Sequence, residues 1–188
     1  MIDGGYFPKR IASRPNELDA PGVREIASVS DCISSGPEHW IDHWRHNELG
    51  WFNTVADAMS VIPKAERALY RLFAYRLEPF AYHQGNQIEI AIPTDVQPDP
   101  IGPEFVERGF DAVSKSMESM LGFECSPLSC NYLAVELPTN EFCLFPNRDA
   151  AAAAAQTFSI EQPEPGDYYV IQVLELTDAS KRADDDTR

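Results

Sequence analysis

Alternating hydrophobic and polar residues in the middle of the chain predict a β-hairpin. Residues 72–82 are rich in aromatic and aliphatic side chains, and residues 87–92 alternate Ile with Glu or Ala. The intervening residues 83–86 include Gly85 and Asn86, which adopt the positive φ angles of tight turns at little cost. The pattern therefore predicts two antiparallel strands with one face exposed to water.

Three further runs in the second half of the chain predict strands. Residues 167–176 are the strongest, because an almost continuous apolar run rich in Tyr, Val and Ile is typical of a central strand. Residues 110–114 predict another strand. Residues 132–137 and 141–145 predict a second hairpin around a Pro-Thr-Asn turn.

Proline and glycine break the remaining non-helical segments. Residues 4–8 and 14–16 are predicted turns, and residues 23–33 are predicted to form a strand or a short helix. Four prolines make residues 93–103 an extended loop, of a length that is often functional. Residues 115–122 are predicted to form a loop or a single helical turn.

An alanine-rich segment predicts the clearest helix. Six consecutive alanines at 150–155 follow Asn147 and Asp149, either of which can cap a helix through its side-chain oxygen. The small alanine side chains allow a neighbour to approach closely, so we expect this helix to lie against the sheet.

A second helix is predicted from Pro37 to about Asn47, because Ser, Gly and Pro before it are typical of a helix start. Its apolar side would consist of Trp40, Ile41 and Trp44. A stripe of His39, His43 and His46 would lie beside that side. Gly50 would end this helix, and residues 51–61 have helical composition.

The only basic stretch of the chain follows Pro63. If Pro63 opens a short helix, then Lys64, Arg67 and Arg71 share one face. These residues are either a solvated face that makes salt bridges or, for Arg67 and Arg71, the binding site of an anion.

Together these elements predict a single α+β domain over residues 1–177, in which helices pack on one face of a mostly antiparallel sheet. Residues 178–188 are charged and contain no aromatic side chain, which predicts a disordered tail.

The composition fits an ordinary globular protein and narrows its partners. Of the 188 residues, 44% are hydrophobic and 24% are charged. The net charge of -15 argues against nucleic acid and anionic membranes as partners. It leaves three interpretations of the acidic surface: plain solubility, a basic protein partner, or mimicry of the charge of a nucleic acid. Because the chain shows neither a leader peptide nor a membrane-length apolar run, we expect a cytoplasmic protein with reduced cysteines.

The side chains with the most varied chemistry lie in one loop around two cysteines. The candidate binding residues there are Cys125, Ser126, Ser129, Cys130 and Asn131. The two cysteines could be zinc ligands together with Cys143 and either Cys32 or a histidine. They could instead form a redox pair.

Two other hypotheses concern the same loop. Cys125 or Cys130 could be a catalytic nucleophile if a base such as His43 lay within hydrogen-bond reach and Asn131 oriented that base. Alternatively, the cysteines are small buried hydrophobic residues, and the neighbouring serines and Asn131 bond the backbone of a turn.

The histidine stripe is the second candidate site. His39 and His43 are four residues apart, a spacing that lets two imidazoles on one helix bind one metal ion such as Zn²⁺. Asp42, Glu48 or His46 would complete the set of ligands. The stripe lacks the Glu of the metalloprotease motif, so the same residues could equally border the hydrophobic core.

The strong acidity and the lack of a catalytic motif favour a non-catalytic binding protein, of the inhibitor, immunity or regulatory type, that acts on a basic protein. The alternative is a small metal- or cysteine-dependent enzyme built from the His39–His46 helix and the Cys125–Asn131 loop. No glycine-rich phosphate loop follows any predicted strand, which argues against the common nucleotide-binding enzymes.

Overall fold

An antiparallel sheet forms the centre of the computed structural model, which describes residues 1–43, 45–115, 123 and 125–177. The strands are β1 (Ile2–Lys9), β2 (Ala12–Ser13), β3 (Glu25–Ile26), β4 (Arg71–His83), β5 (Asn86–Glu89), β6 (Phe105–Lys115) and β7 (Asp167–Leu176). The α-helices are α1 (Val55–Ser60), α2 (Pro127–Cys130) and α3 (Arg148–Glu161), and short 3-10 helices cover Trp40–His43, Lys64–Leu69 and Leu133–Val135.

The main sheet has the strand order β1-β4-β7-β6, with β5 paired to β4, and every pairing in it is antiparallel. β7 lies between β4 and β6, and Val170, Ile171 and Val173 on it are fully buried. The predicted hairpin of β4 and β5 and the central position of β7 are therefore confirmed. The chain forms a single α+β domain, as the sequence predicts.

The turn predicted at residues 4–8 is wrong, because these residues belong to β1. A Cβ atom on Gly4 would lie 2.4 Å from the ring of Trp51, and Gly5 has a φ of +142° where the register of β1 against β4 shifts. The two glycines therefore make room for the indole and permit a bulge inside a strand.

The second predicted hairpin is also wrong. Residues 133–135 form a 3-10 helix, and the described part of residues 132–145 joins the sheet through a single bridge between Phe110 and Phe145. Positive φ angles at Tyr132 and Cys143 interrupt any extended run. The Asn140 side chain fixes the turn by accepting hydrogen bonds from the amides of residues 142 and 144, at 2.9 and 3.3 Å.

The alanine-rich helix α3 is confirmed. The side chain of Asn147 accepts a hydrogen bond from the amide of Ala150 at 2.9 Å and so caps the helix. The helix packs on β7, β6 and β4, with Ala151 and Ala155 fully buried against the sheet.

The helix predicted for residues 37–47 is wrong: the described residues of this stretch contain only the 3-10 turn Trp40–His43. His39, just before the turn, has a φ of +57°. The buried Asn47 accepts hydrogen bonds from the amides of Leu49 and Trp51 and donates one to the carbonyl of residue 4. Asn47 therefore organises a tight loop where a helix would need regular backbone bonds.

The helical composition of residues 51–61 gives only the shorter helix α1, which Thr54 caps. The short helix after Pro63 is present as a 3-10 helix. Trp44, residues 116–122 of the predicted loop, and the predicted tail at 178–188 lie outside the described residues. In the part of the chain that the structure describes, no helix is long and apolar enough to cross a membrane.

Candidate metal centre

Three cysteine side chains meet at one point beside the sheet. The Sγ atom of Cys125 lies 3.1 Å from that of Cys32 and 3.2 Å from that of Cys130. All three sulfur atoms lie within 4.8 Å of one another. We call Cys32, Cys125 and Cys130 the thiol triad. Cys32 is exposed, and the other two cysteines are half-buried.

The short helix α2 brings two members of the triad together. Pro127 opens the helix, where its fixed φ is favourable and its missing N–H is not needed. The amide of Cys130 then donates to the carbonyl of Ser126 at 3.0 Å, which closes one helical turn. This turn places the Cys125 and Cys130 thiols next to each other despite five residues of separation.

Lys9 fixes the segment that leads to Cys32. Its side chain is 0% exposed, and its ammonium donates to the carbonyl oxygens of Ser28, Val29 and Ser30 at 2.8, 2.8 and 2.5 Å. The same ammonium lies 3.1 Å from a carboxylate oxygen of Asp31. A buried lysine with three carbonyl acceptors and a carboxylate is well satisfied.

Asp111 on β6 contacts both segments that carry the triad. Its Oδ2 accepts hydrogen bonds from the Ser28 hydroxyl and the Val29 amide, both at 2.9 Å. Its Oδ1 accepts from the Ser126 hydroxyl at 2.6 Å and from the Ala112 amide at 2.9 Å. Burial raises the pKa of Asp111, and these four donors act in the opposite direction because they stabilise the ionised form.

The pKa values of Cys125 and Cys130 do not suit a nucleophile. Burial together with the neighbouring thiols raises the pKa of Cys125 above its ordinary value, and burial together with the Cys32 thiol raises the pKa of Cys130 to about 11. Reactive cysteines have lowered pKa values, next to a cation or a helix N-terminus. A metal ion would replace the thiol protons and supply the missing positive charge.

Cys143 lies apart from the triad and is 0% exposed, and its thiol faces the carbonyl of Leu128 at 3.8 Å. Burial raises the pKa of Cys143 to about 12. It matches the hypothesis of a small buried hydrophobic residue rather than that of a zinc ligand.

The histidines take other positions. His39 is exposed and lies 3.6 Å from Asp42, while the ring of His46 packs edge-on against Trp40 at 5.1 Å. The side chain of His43 lies outside the described part. Across the described ranges, the thiol triad is the only group of three or more His, Cys, Asp or Glu side chains close enough to share one metal ion.

The remaining candidate residues make local contacts. Ser129 donates to the carbonyl of Ser126 at 3.1 Å, and Asn131 donates to the carbonyl of Pro163 and the carboxylate of Glu164. Asn131 therefore bonds the loop before β7, and no described contact makes it an orienter of a catalytic base.

The two candidate arginines of the basic stretch bond other groups of this chain. Arg71 donates two hydrogen bonds to Glu175 and one to Glu25, at 2.6 to 2.7 Å. Arg67 donates to the carbonyl of Met59 at 3.3 Å. The salt-bridge interpretation of this stretch thus fits the contacts of Arg71.

Sequence reasoning did not single out three important residues of this region. Cys32 entered only as one of several options for a fourth ligand, because it lies 93 residues from Cys125. Lys9 and Asp111 were not considered, since each looks like an ordinary polar residue at the end of, or within, an apolar run. Only the spatial arrangement identifies them.

Comparisons with protein-family models, with curated proteins and with solved structures found no match for this chain.

Proposed function

We propose that this protein binds a thiophilic metal ion, with Zn²⁺ the expected ion, through Cys32, Cys125 and Cys130. The observation that supports the proposal is the approach of three sulfur atoms within 4.8 Å from segments that are far apart in the chain. Thiolate sulfur is a preferred ligand of Zn²⁺ and of other soft ions.

The distances suit metal coordination after a small adjustment. Tetrahedral coordination with Zn–S bonds of about 2.3 Å separates two sulfurs by about 3.8 Å. The separations of Cys125 from Cys32 and from Cys130, 3.1 and 3.2 Å, would both have to lengthen slightly. Rotation of the Cys32 side chain can lengthen the first separation, and rotation of the Cys130 side chain can lengthen the second. A disulfide would use only two of the three sulfurs and leave the third without a role.

Three protein ligands leave one position of a tetrahedral ion for water or a small ligand. The exposure of Cys32 places the site within reach of solvent, so an ion can enter from that side. The chain's net charge of -15 also favours the approach of cations. These features support the metal-dependent alternative that the sequence raised, with cysteines in place of the histidine stripe.

Metal analysis of cysteine variants tests the proposal. Untagged protein, purified under reducing conditions without chelator, should contain about one Zn²⁺ per chain. Each of Cys32→Ser, Cys125→Ser and Cys130→Ser should lose most of the metal, whereas Cys143→Ser is the matched control and should keep it. Co²⁺ substitution should give the intense sulfur-to-cobalt charge-transfer absorption of a thiolate site. Wild-type protein that takes up neither Zn²⁺ nor Co²⁺ when reduced would refute the proposal.

The acidity of the chain supports a second candidate role, that of a partner for a basic protein. The sequence has 30 acidic and 15 basic residues, so 15 acidic residues (30 - 15) would remain unpaired even if every basic residue paired with one. Capture from a lysate at low ionic strength should recover a basic protein whose binding weakens steeply with salt. Recovery of the protein alone at low salt would argue against this role.

A further inference from the structure

We propose that Asp111 is a positioning residue of the thiol triad, which it assembles by holding the Ser28–Val29 segment and the Cys125–Ser126 segment together. The inference rests on the proposed metal binding and assigns a role to a side chain that would not itself contact the ion. Metal sites depend on such outer residues because they fix the orientation of the ligands.

The two oxygens of Asp111 divide between the two segments. Oδ2 takes both of its hydrogen bonds from Ser28 and Val29, three to four residues before Cys32. Oδ1 takes one from Ser126, the residue immediately after Cys125. The side chain therefore bridges two segments, each of which leads to a triad cysteine.

Other contacts make this bridge rigid. The carboxylate is 0% exposed, and the Ala112 amide fixes it from its own strand at 2.9 Å. The amide of Ser114, three residues along β6, donates to the carbonyl of Cys125 at 2.9 Å. β6 thus holds the α2 side of the triad at two points, one of which is the Asp111 carboxylate.

Lys9 completes the support on the opposite side of the Cys32 segment. Asp111 bonds donors of Ser28 and Val29, while Lys9 bonds carbonyl oxygens of Ser28 and Val29 from β1. The segment is therefore clamped between an anion on one edge strand and a cation on the other. Loss of the anion would free this segment from β6 and separate the sulfurs that must converge on the ion.

The test compares metal affinity among serine and aspartate variants of the full chain. In Asp111→Asn, an amide nitrogen replaces one oxygen, and in either orientation it faces a backbone N–H donor, from Val29 or from Ala112. Ser126→Ala is milder, because it removes only the hydroxyl that joins Asp111 to α2. Ser159→Ala is the matched control: this serine is also 0% exposed, and its hydroxyl bonds the amide of Gly85 and the carbonyl of Gln156 in α3.

The dissociation constant for Zn²⁺ is measured by competition with a chromophoric chelator, at a temperature where circular dichroism shows each variant folded. We expect Asp111→Asn and Ser126→Ala to weaken binding about 10-fold or more and to lower the Co²⁺ charge-transfer absorption. Ser159→Ala should lower the melting temperature but leave the dissociation constant unchanged. If Asp111→Asn does not fold, Ser126→Ala alone decides the question.

Two results would overturn the inference. If wild-type protein binds Zn²⁺ and Ser126→Ala binds it equally well, the role of Asp111 is refuted while the proposed function stands. If wild-type protein does not bind Zn²⁺ or Co²⁺, the proposed function fails and the positioning role fails with it.

Discussion

Replacement of Lys9 by Met is the most direct perturbation of the buried charges. Met has nearly the volume of Lys but carries no charge and no donor. The ammonium of Lys9 is fully buried, with three carbonyl acceptors and Asp31 around it. Burial lowers the pKa of Lys9, and Asp31 and Asp111 offset part of that shift because they favour the charged form.

The expected loss of stability follows from the groups left behind. Each buried carbonyl that loses its donor costs about 1–3 kcal/mol, and Asp111 would lose its electrostatic attraction to the Lys9 ammonium. Met removes the cost of burying an ammonium and adds apolar contacts, which offsets part of this. Three such carbonyls, less this offset, leave an expected cost of about 3–5 kcal/mol. We therefore expect Lys9→Met to lower the free energy of unfolding by about 3–5 kcal/mol, which corresponds to a fall of about 6–20 °C in melting temperature.

Urea and thermal unfolding of the reduced, metal-free protein would measure this loss. Metal-free conditions separate the stability of the fold from any contribution of a bound ion. Lys64→Met is the matched control, because Lys64 is exposed on a short 3-10 helix and should change stability by less than about 0.5 kcal/mol. A Lys9→Met variant within about 1 kcal/mol of wild type would refute the reasoning, since the core would then accept an apolar residue in place of the charge.

Three further predictions concern acid titration, helix capping and metal uptake. Burial alone would raise the pKa of Glu175, but hydrogen bonds from Arg71 and a second arginine outweigh burial, and the pKa lies below its ordinary value. The stabilising effect of the ionised Glu175 is thus present above the unfolded-state pKa and is lost as the pH falls through the folded-state pKa. Glu175→Gln should therefore lower the free energy of unfolding by about 2–3 kcal/mol at pH 7 and by progressively less in urea titrations towards pH 3. A loss that does not change with pH would contradict this. In thermal unfolding, Asn147→Ala should lower stability by about 1 kcal/mol and Asn147→Gly by only about 0.3 kcal/mol, because glycine is itself a tolerated N-cap. Equal losses for the two variants would count against the capping role. Zn²⁺ affinity should rise with pH between about pH 6 and 8, because thiols with a raised pKa, such as Cys130 at about 11, must release protons when the ion binds. A Zn²⁺ affinity that does not change with pH would exclude the thiols as ligands.

Elements with a strong local cause could be predicted from the sequence. Helix α3 combines the propensity of six alanines with the Asn147 cap, and the apolar run of β7 requires burial on both faces. The turn at Gly85 joins two strands that pair directly, so the hairpin of β4 and β5 needs no distant contact to define it. In each case local propensity and tertiary packing favour the same structure.

Elements that depend on a distant partner could not be predicted. Gly4 and Gly5 look like turn residues, and only the ring of Trp51 against them explains why a strand needs them. The apolar residues around His39 have helical spacing, but the side chain of Asn47 draws the backbone bonds of Leu49 and Trp51 into a loop. Long-range packing and side-chain bonds to the backbone override local preference at these positions.

The candidate site also combines a feature with a local cause and a feature that depends on distant residues. The pairing of Cys125 with Cys130 follows from a local helical turn, and the sequence pointed to it. The position of the third thiol, Cys32, depends on the fold of the whole sheet, and so do the positions of the two charged side chains that hold its segment. A pair of thiols is a weak metal site, so the third thiol, Cys32, makes the largest difference to metal binding. The spacing of cysteines in the sequence could not identify it.

The segments that carry the thiol triad explain why Lys9 and Asp111 are buried. The described segments that present the triad, residues 28–32 and 125–126, lie outside the strands, so sheet pairing does not fix them. Ordering each such residue costs about 1–2 kcal/mol of conformational entropy. Lys9 and Asp111 together supply seven hydrogen bonds within reach of their positions on β1 and β6, four of them to the carboxylate and three from the ammonium. An apolar pair at these positions would fill the volume but could not hold the two segments in place through hydrogen bonds. This difference explains why a lysine and an aspartate are fully buried here.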